Sequence, residues 1–306
     1  MSVFIIGEAG VNHNGSIKEA LKLVDIAKNA GCDAVKFQTF DSERVANKFA
    51  EMAEYQIPNM NSFSSQRDML KSLQLSAKDF ITLKAYCDES EIEFMSTPSD
   101  PTDLDLLLSI GIKRIKIGSS DIDNKPLLHK AIQTGMQIIV STGMATFFEV
   151  KRTIEFIKSF PKAGQIVIMQ CTSQYPCPDD QLNLNVLDLY RDEFNLPIGF
   201  SDHSKGMLAA ACSIAKGVKY VEKHFTLSCE LDGPDHKASL EPKDLSEYVS
   251  MIRNAEIFMG TKKKKIENCE YSNRQKMRKS MILDNDGNYI IQRPPLIGKD
   301  PWDWEP

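Results

Sequence analysis

His203 and His224 are the residues whose spacing first points to chemistry. Pro197–Phe200 is a short apolar run that ends in Ser201-Asp202-His203. Gly206–Lys216, with Met207, Ala210, Ala211 and Ile214, has the spacing of a helix. Tyr220 and Val221 open a second apolar run that ends in Glu222-Lys223-His224. In a parallel strand-helix-strand unit the two carboxyl ends face the same way and are neighbours. Two imidazoles converging on one mouth suit a divalent metal such as Mn, Fe, Co or Zn. The alternative is two histidines that are each hydrogen-bonded separately.

Lys36 and Lys116 stand inside apolar strands, Ala-Val-Lys-Phe and Arg-Ile-Lys-Ile. A buried ammonium needs a partner, and Glu8 and Asp121 are the counter-charges at hand. Ringed by Thr97, Ser119, Ser141 and Ser201, the two lysines make a socket for a phosphate and a carboxylate. Lysine can also form a Schiff base. Glu8 and Asp121 are candidate acid/base groups or sugar-hydroxyl ligands as well as charge partners. Gln38, Ser173 and Tyr175 fall at strand ends of the same kind.

The elements that must position these groups follow one repeated unit: an apolar strand, polar residues at its end, then a helix closed by Gly or Pro. Val3–Ile6 ends in Gly7-Glu8, and Ser16 with Glu19 reads as a capping box for a helix bearing Ile17, Leu21, Val24 and Ala27. Ala34–Phe37 is followed by a long polar segment, Asp41–Ser65, and then a helix over Ser76–Ser90. Glu93–Met95, Arg114–Ile117, Gln137–Val140 and Gln165–Met169 are further strands, with helices between them closed at Gly111, Gly135 and Pro161. The unit at 197–226 supplies the seventh and eighth. Pro242 starts the last helix and Gly260 closes it. Eight strands within about 260 residues match an α/β (β/α)8 TIM barrel. The competing architecture is a doubly wound open sheet, which binds only at its switch point. Every strand here ends in polar residues, which favours the barrel, since a barrel brings all its strand ends to one face. No Gly-x-Gly-x-x-Gly follows the first strand, so a dinucleotide site has no support.

The chain of 306 residues is 42% hydrophobic and 26% charged, as expected of a globular protein with a large core. A formal charge of -5 argues against nucleic acid or an anionic membrane as the main partner. Lys262–Lys265 reads as a solvated linker. No apolar stretch approaches the roughly 20 residues of a membrane helix, and Met1-Ser2 leads into Val3 without a signal sequence. Seven cysteines with no Cys-x-x-Cys pair read as reduced thiols of a cytoplasmic protein.

A set of motifs adds a family. Phe-Ile-Ile-Gly-Glu-Ala-Gly-Val-Asn-His-Asn-Gly-Ser (4–16), Val-Lys-Phe-Gln-Thr (35–39), Ser-Thr-Pro (96–98), Lys-Ile-Gly-Ser (116–119), Ser-Thr-Gly-Met (141–144), Phe-Ser-Asp-His (200–203), Glu-Lys-His-Phe-Thr (222–226) and Gly-Pro-Asp-His-Lys-Ala-Ser-Leu-Glu-Pro (233–242) resemble the sialic acid (N-acetylneuraminate) synthase family, over about residues 3 to 260. The resemblance implies a metal-dependent enzyme that condenses phosphoenolpyruvate with an N-acetylmannosamine-type aldose, giving a nine-carbon 2-keto acid and phosphate. It implies that His203 and His224 hold a divalent cation, Mn2+ or Mg2+, that polarises the sugar aldehyde. Lys36, Thr97, Lys116, Ser119, Ser141, Ser173 and Ser201 would grip phosphoenolpyruvate. Gln38, Asn61, Asp121, Tyr175 and Asp235 would line the sugar pocket. Glu8 would lie beside the metal and manage the water that attacks C2, with Lys36 and Lys116 completing the catalytic set. Asn12 and His13 would shape the first loop, and His129 and His236 stay outside the site.

Three departures from the sialate pattern bear on the substrate. Asp121 stands where glutamate is common, and Ser173 where some members carry asparagine. Both leave room for a diacetamido-trideoxy hexose of the legionaminic or pseudaminic series. The third is the tail. The division expected is a synthase barrel over 1–262 and a C-terminal arm over 263–306, too short for the family's whole antifreeze-like domain. In the arm, Met281–Leu283 and Tyr289–Ile291 read as a hairpin around Asp286-Gly287. Arg293 resembles the arginine that the small domain offers to the sugar, and Trp302 or Trp304 would anchor the tail. The family also implies a homodimer. The alternatives carried alongside are a 3-deoxy-2-ketosugar-phosphate synthase, a Schiff-base lyase using Lys36 or Lys116, and a non-catalytic sugar-binding barrel.

Overall fold

The computed structural model describes residues 2–52 and 65–293. The chain divides into two compact units, Met1–Met259 and Gly260–Pro306. In the first, eight parallel strands form a nearly closed barrel surrounded by helices: β1 (Phe4–Gly10), β2 (Ala34–Thr39), β3 (Glu93–Pro98), β4 (Arg114–Ile117), β5 (Gln137–Ser141), β6 (Ile166–Gln170), β7 (Ile198–Asp202) and β8 (Tyr220–His224). Hydrogen bonding runs in the order β3-β2-β1-β8-β7-β6-β5-β4, so the first and last strands of the sequence pair. Ile6 sits opposite Glu222, and Glu8 opposite His224. This is the (β/α)8 barrel expected from the sequence.

Strand residues alternate between two apolar environments. Those pointing outward, such as Val35, Phe37, Ile115, Ile117, Val140 and Phe200, pack on the surrounding helices in one large core. Those pointing inward form a smaller plug of Ile6, Ala34, Met95, Ile139, Val167 and Met169, with Phe4 and Tyr220 against it. One step further along, six of the strands place charged or hydroxyl-bearing side chains inward: Glu8, Lys36, Thr97, Ser141, Ser201 and Glu222, while β6 continues the plug with Met169. The plug therefore floors the site and keeps water from it on that side.

The helices follow local rules. α1 (Ile17–Ala30) is capped by Ser16, whose hydroxyl accepts the Glu19 N–H at 3.4 Å. The reciprocal half of the expected capping box is replaced, because the Glu19 carboxylate binds Lys22 at 3.0 Å instead. Gly31 ends α1 with φ of 85°, a conformation glycine adopts without strain. The polar segment after β2 contains α2 (Ser42–Val45), and α3 (Gln66–Leu73), capped by Ser65, follows it; the residue pattern assigns neither helix. Met69 and Leu73 of α3 are buried with Val11 and Phe40 in a small separate apolar cluster. Seven helices complete the barrel unit: α4 (Ala77–Glu89), α5 (Pro101–Ser109), α6 (Lys125–Gln133), α7 (Phe147–Lys158), α8 (Val186–Phe194), α9 (Leu208–Ala215) and α10 (Pro242–Met259). α10 is not the last helix of the chain. In the second unit α11 (Tyr271–Met277) precedes an antiparallel hairpin of β9 (Ser280–Leu283) and β10 (Tyr289–Gln292), with Ile290 opposite Ile282. The Asp284 carboxylate accepts the N–H groups of Asp286 and Asn288 in its turn. Arg293 is exposed, while Asn61, Trp302 and Trp304 lie outside the described residues. Among the described residues no helix is long and apolar enough to cross a membrane.

Candidate active site

The carboxyl ends of the barrel strands bring four charges together above the apolar plug. Lys36 Nζ lies 2.6 Å from Glu8 Oε2 and 3.6 Å from Glu222 Oε2. Lys116 Nζ lies 3.5 Å from Glu222 Oε1 and donates to Ser141 Oγ at 2.7 Å. Lys36 also donates to Thr97 Oγ1 at 3.1 Å, and Ser201 Oγ to Glu222 Oε1 at 3.1 Å. All four charged side chains are buried. The expected pairing of Lys36 with Glu8 is present. Lys116 is paired differently, with Glu222 and not with Asp121. Glu222 is the residue that sequence reasoning missed. A signal for it existed: His224 points into the barrel, so the residue two positions back on the same strand must do so as well.

The environment gives the two carboxylates different states. Burial pushes Glu8 up to about 7, against the pull of Lys36. Burial also works against charge on Glu222, but Lys116 and Lys36 outweigh it and hold that group down at about 2. Near neutral pH Glu222 is thus a fixed anion, while Glu8 is poised to take or give a proton. Burial draws the Lys116 ammonium below its ordinary value. For Lys36 the two neighbouring carboxylates, Glu222 foremost, overcome burial and raise it.

His203 and His224 stand beside this cluster, their ring centroids 5.8 Å apart. Tyr175 covers both, at 4.2 Å from the first ring and 5.4 Å from the second. Burial lowers His203 to about 4 and His224 well below its ordinary value, so both imidazoles are neutral. The Thr172 carbonyl can only accept, so His203 Nδ1 carries the proton of their 2.7 Å hydrogen bond. Its Nε2 is therefore an unprotonated acceptor, in hydrogen-bond contact with Ser201 Oγ at 3.2 Å. His224 Nδ1 is buried without a hydrogen-bond partner. Two neutral imidazoles, one with its tautomer fixed from behind and one with an unsatisfied nitrogen, fit a divalent cation. Among the described residues no group of three or more His, Cys, Asp or Glu side chains is arranged as a ligand set. The two imidazoles would therefore leave other coordination positions open to water or substrate.

The remaining expected residues occupy two sides of this centre. On one side Ser119 Oγ accepts the Gly143 N–H at 3.0 Å and touches Cys171 Sγ at 3.2 Å. Gly143 is needed there, since a Cβ would fall 2.2 Å from Ser173 Oγ and 2.9 Å from Ser119 Oγ. Asp121 sits on the single 3-10 turn Ser119–Asp121 beyond β4, where Ser120 and Asn124 donate to its carboxylate at 3.0 and 2.9 Å. On the other side Gln38 donates to Glu8 Oε1 at 3.4 Å, and Gln38, Tyr175, His224 and Asp235 line one cavity. Burial raises the Asp235 carboxyl to about 6. Asn12 ties the first loop to the segment after β8 through Phe225 O at 2.8 Å and Ser239 Oγ at 3.0 Å. Buried His236 is held by Thr226 Oγ1 at 2.6 Å and His129 lies on α6, so neither joins the cluster.

Comparison with known proteins bears on what such a centre does. A model described as "NeuB family" matches residues 23–264. The N,N'-diacetyllegionaminic acid synthase of Legionella pneumophila is 42% identical over 289 residues, which is 94% of this chain and 81% of that protein. The synthase of the same name from Campylobacter jejuni is 38% identical over 300 residues, 95% of this chain and 90% of that one. Among solved structures, the N-acetylneuraminic acid (sialic acid) synthetase of Leptospira borgpetersenii, in complex with citrate, superposes with a TM-score of 0.79 at 32% identity, over 89% of this chain and 90% of the other.

Proposed function

We propose that this chain, which belongs to the NeuB family of carbon-carbon bond-forming synthases, condenses phosphoenolpyruvate with an N-acetylated aldose to give a nonulosonic acid and phosphate. The observation that carries this reading is the meeting of two neutral imidazoles with a buried cluster of two lysines and two carboxylates at one rim. The metal reading rests on the unsatisfied nitrogen of His224 and the unprotonated Nε2 of His203. A cation bound there, Mn2+ or Mg2+, would supply Lewis acidity at the aldehyde oxygen of the open-chain sugar.

The side chains divide the remaining work. Lys36 and Lys116 neutralise the phosphate and carboxylate of phosphoenolpyruvate, and Thr97, Ser119, Ser141, Ser173 and Ser201 offer hydroxyls to the same anions. This holds the enol carbon C3 against the aldehyde carbon, where the new C–C bond forms as the aldehyde oxygen takes the proton held by Glu8, whose raised affinity keeps it partly protonated near neutral pH. The positive charge that develops at C2 is met by water, and the Glu8 carboxylate takes back a proton from that water. The C2–O bond to phosphate then breaks, the remaining proton of the water leaves with the phosphate, and the 2-keto acid is left. Glu222 stays ionised throughout and keeps both lysines charged.

The names of the 42% and 38% identical relatives support a diacetamido-trideoxy hexose as acceptor, ahead of N-acetylmannosamine. The aspartate at 121 and the serine at 173 fit the same choice, since both depart from the sialate pattern. The test is phosphate release from phosphoenolpyruvate with a panel of N-acetylated aldoses, with manganese and with a chelator. Turnover that requires both an N-acetylated aldose and metal is expected. His203→Ala should abolish it while phosphoenolpyruvate still binds. Turnover that persists in full under chelation would refute the metal reading, and no turnover with any aldose would refute the synthase reading.

A further inference from the structure

α3 forms one wall of the cavity that touches His224. Val11, Met69, Leu70, Leu73 and Pro234 give it apolar lining, and Gln38, Tyr175, His224 and Asp235 give it polar lining, around a space of ≈ 90 Å³. Met69, Leu73 and Val11 are 1%, 3% and 4% exposed. They belong to neither the outer core nor the barrel plug, but to a cluster of their own. The helix is laid closely on the first loop: a Cβ at Gly15, whose φ is +73°, would come within 2.4 Å of the Ser72 carbonyl oxygen. Asp235 lines the same cavity and is buried, and among the described residues no side chain donates a hydrogen bond to its carboxylate.

A cavity lined by apolar side chains and one buried carboxylate is poorly suited to a bare polyol chain. Each hydroxyl turned toward Met69 or Leu73 would lose its partner, and a site penalises that strongly. An acetamido group meets both kinds of lining at once, with an N–H for the carboxylate and a methyl for the apolar side chains. In an acceptor bound with its aldehyde at the imidazoles, the C2 substituent is the first to reach past His224. We infer that α3 is the specificity element of this centre: Met69, Leu70 and Leu73 with Val11 seat the methyl of the C2 acetamido group, and Asp235 accepts its N–H. This rests on the synthase reading for the identity of the acceptor, and adds which part of the chain reads it.

The test uses ligands that cannot react, so that binding is separated from turnover. The alditols of N-acetylmannosamine and of the diacetamido-trideoxy hexose, each with N-acetyl or N-butanoyl at C2, are titrated calorimetrically into the full chain with phosphoenolpyruvate and manganese present. Wild type is expected to bind N-acetyl about tenfold or more tighter than N-butanoyl, in line with the discrimination of small apolar pockets. Met69→Ala opens the wall and should narrow that gap about tenfold. Leu70 is only partly buried, so Leu70→Ala provides a second variant if Met69→Ala does not fold. A gap that stays the same within about twofold in the folded variants overturns the assignment to α3. If the pattern appears but no aldose is turned over, the acetamido subsite stands and the synthase reading falls.

Discussion

Glu222 lies between Lys36 and Lys116, with one carboxylate oxygen 3.6 Å from the first ammonium nitrogen and the other 3.5 Å from the second. It is an internal stand-in for an anion. In the absence of substrate it answers two buried cations that would otherwise have only Glu8. If phosphoenolpyruvate binds here as proposed, its phosphate and carboxylate would give the lysines counter-charges that do not depend on it.

This arrangement makes opposite demands on stability and binding. Glu222→Gln should destabilise the fold by roughly 3–5 kcal/mol, the usual consequence of removing one partner of a buried ion pair. Phosphoenolpyruvate should return part of that loss. Thermal melting with and without saturating phosphoenolpyruvate checks it, and the ligand-induced rise in Tm should be larger for Glu222→Gln than for wild type. An equal rise would mean that substrate does not answer the same charges.

Gly143 predicts a separation of the two substrates. Its missing Cβ leaves space for Ser173, Ser119 and Cys171, which a methyl group would approach to 2.2, 2.9 and 3.1 Å. The serine hydroxyls can rotate away, so Gly143→Ala should fold. They would then no longer face the anion socket. The KM for phosphoenolpyruvate is expected to rise about tenfold, the loss of one or two hydrogen bonds to a charged group, while the KM for the aldose changes little. Steady-state kinetics with each substrate varied in turn reads this directly.

The pH dependence of acceptor binding follows from Asp235. Burial lifts its carboxyl to about 6. The polar groups that line the same cavity are Gln38 and Tyr175, and His224, which burial keeps neutral. As pH falls through 6 the carboxylate is protonated and loses an acceptor oxygen for the acetamido N–H. The KM for the aldose should therefore rise between pH 7 and pH 5. In Asp235→Asn that rise should disappear and KM should be high throughout. A wild-type KM that is flat over this range would remove Asp235 from acceptor binding.

Much of this centre was legible in the chain because a barrel converts a simple rule into a site. Each apolar strand ends in polar residues, and closure brings all the ends to one rim, so Lys36, Thr97, Lys116, Ser141, Ser201, His203 and His224 could be gathered before any coordinates. What the residue pattern carried less well was phase and partnership. Glu222 was visible only as part of Glu-Lys-His, and assigning it inward required following the alternation of β8 back from His224. Asp121 was grouped with the charge partners, yet it sits on a 3-10 turn past the strand end, where Ser120 and Asn124 bind it. α3 was hidden because a polar stretch of variable spacing precedes it, and its eight residues bury only Met69 and Leu73. Local periodicity over two turns is too short to separate such a helix from loop.

Behind the site lies a second ion pair with a different task. Asp202 and Lys223 follow Ser201 and Glu222 by one residue, so they point to the opposite face of the same two strands. Lys223 Nζ lies 3.3 Å from Asp202 Oδ2, which also accepts Tyr248 OH at 3.1 Å. The same ammonium donates to the carbonyls of Ser204 and Gly206, and so holds the loop that begins at His203. Lys223→Met should cost roughly 3–5 kcal/mol, because it leaves Asp202 buried and charged without its cation. Adding Asp202→Asn removes that charge and should restore a good part of the stability, although the loop carbonyls still lack their donor. The two effects therefore separate. Denaturant unfolding should show recovery in the double variant, while manganese affinity, if His203 and His224 hold the ion, should stay weakened in both. Metal affinity that recovers together with stability would show that Lys223 supports the fold alone and does not orient the His203 loop.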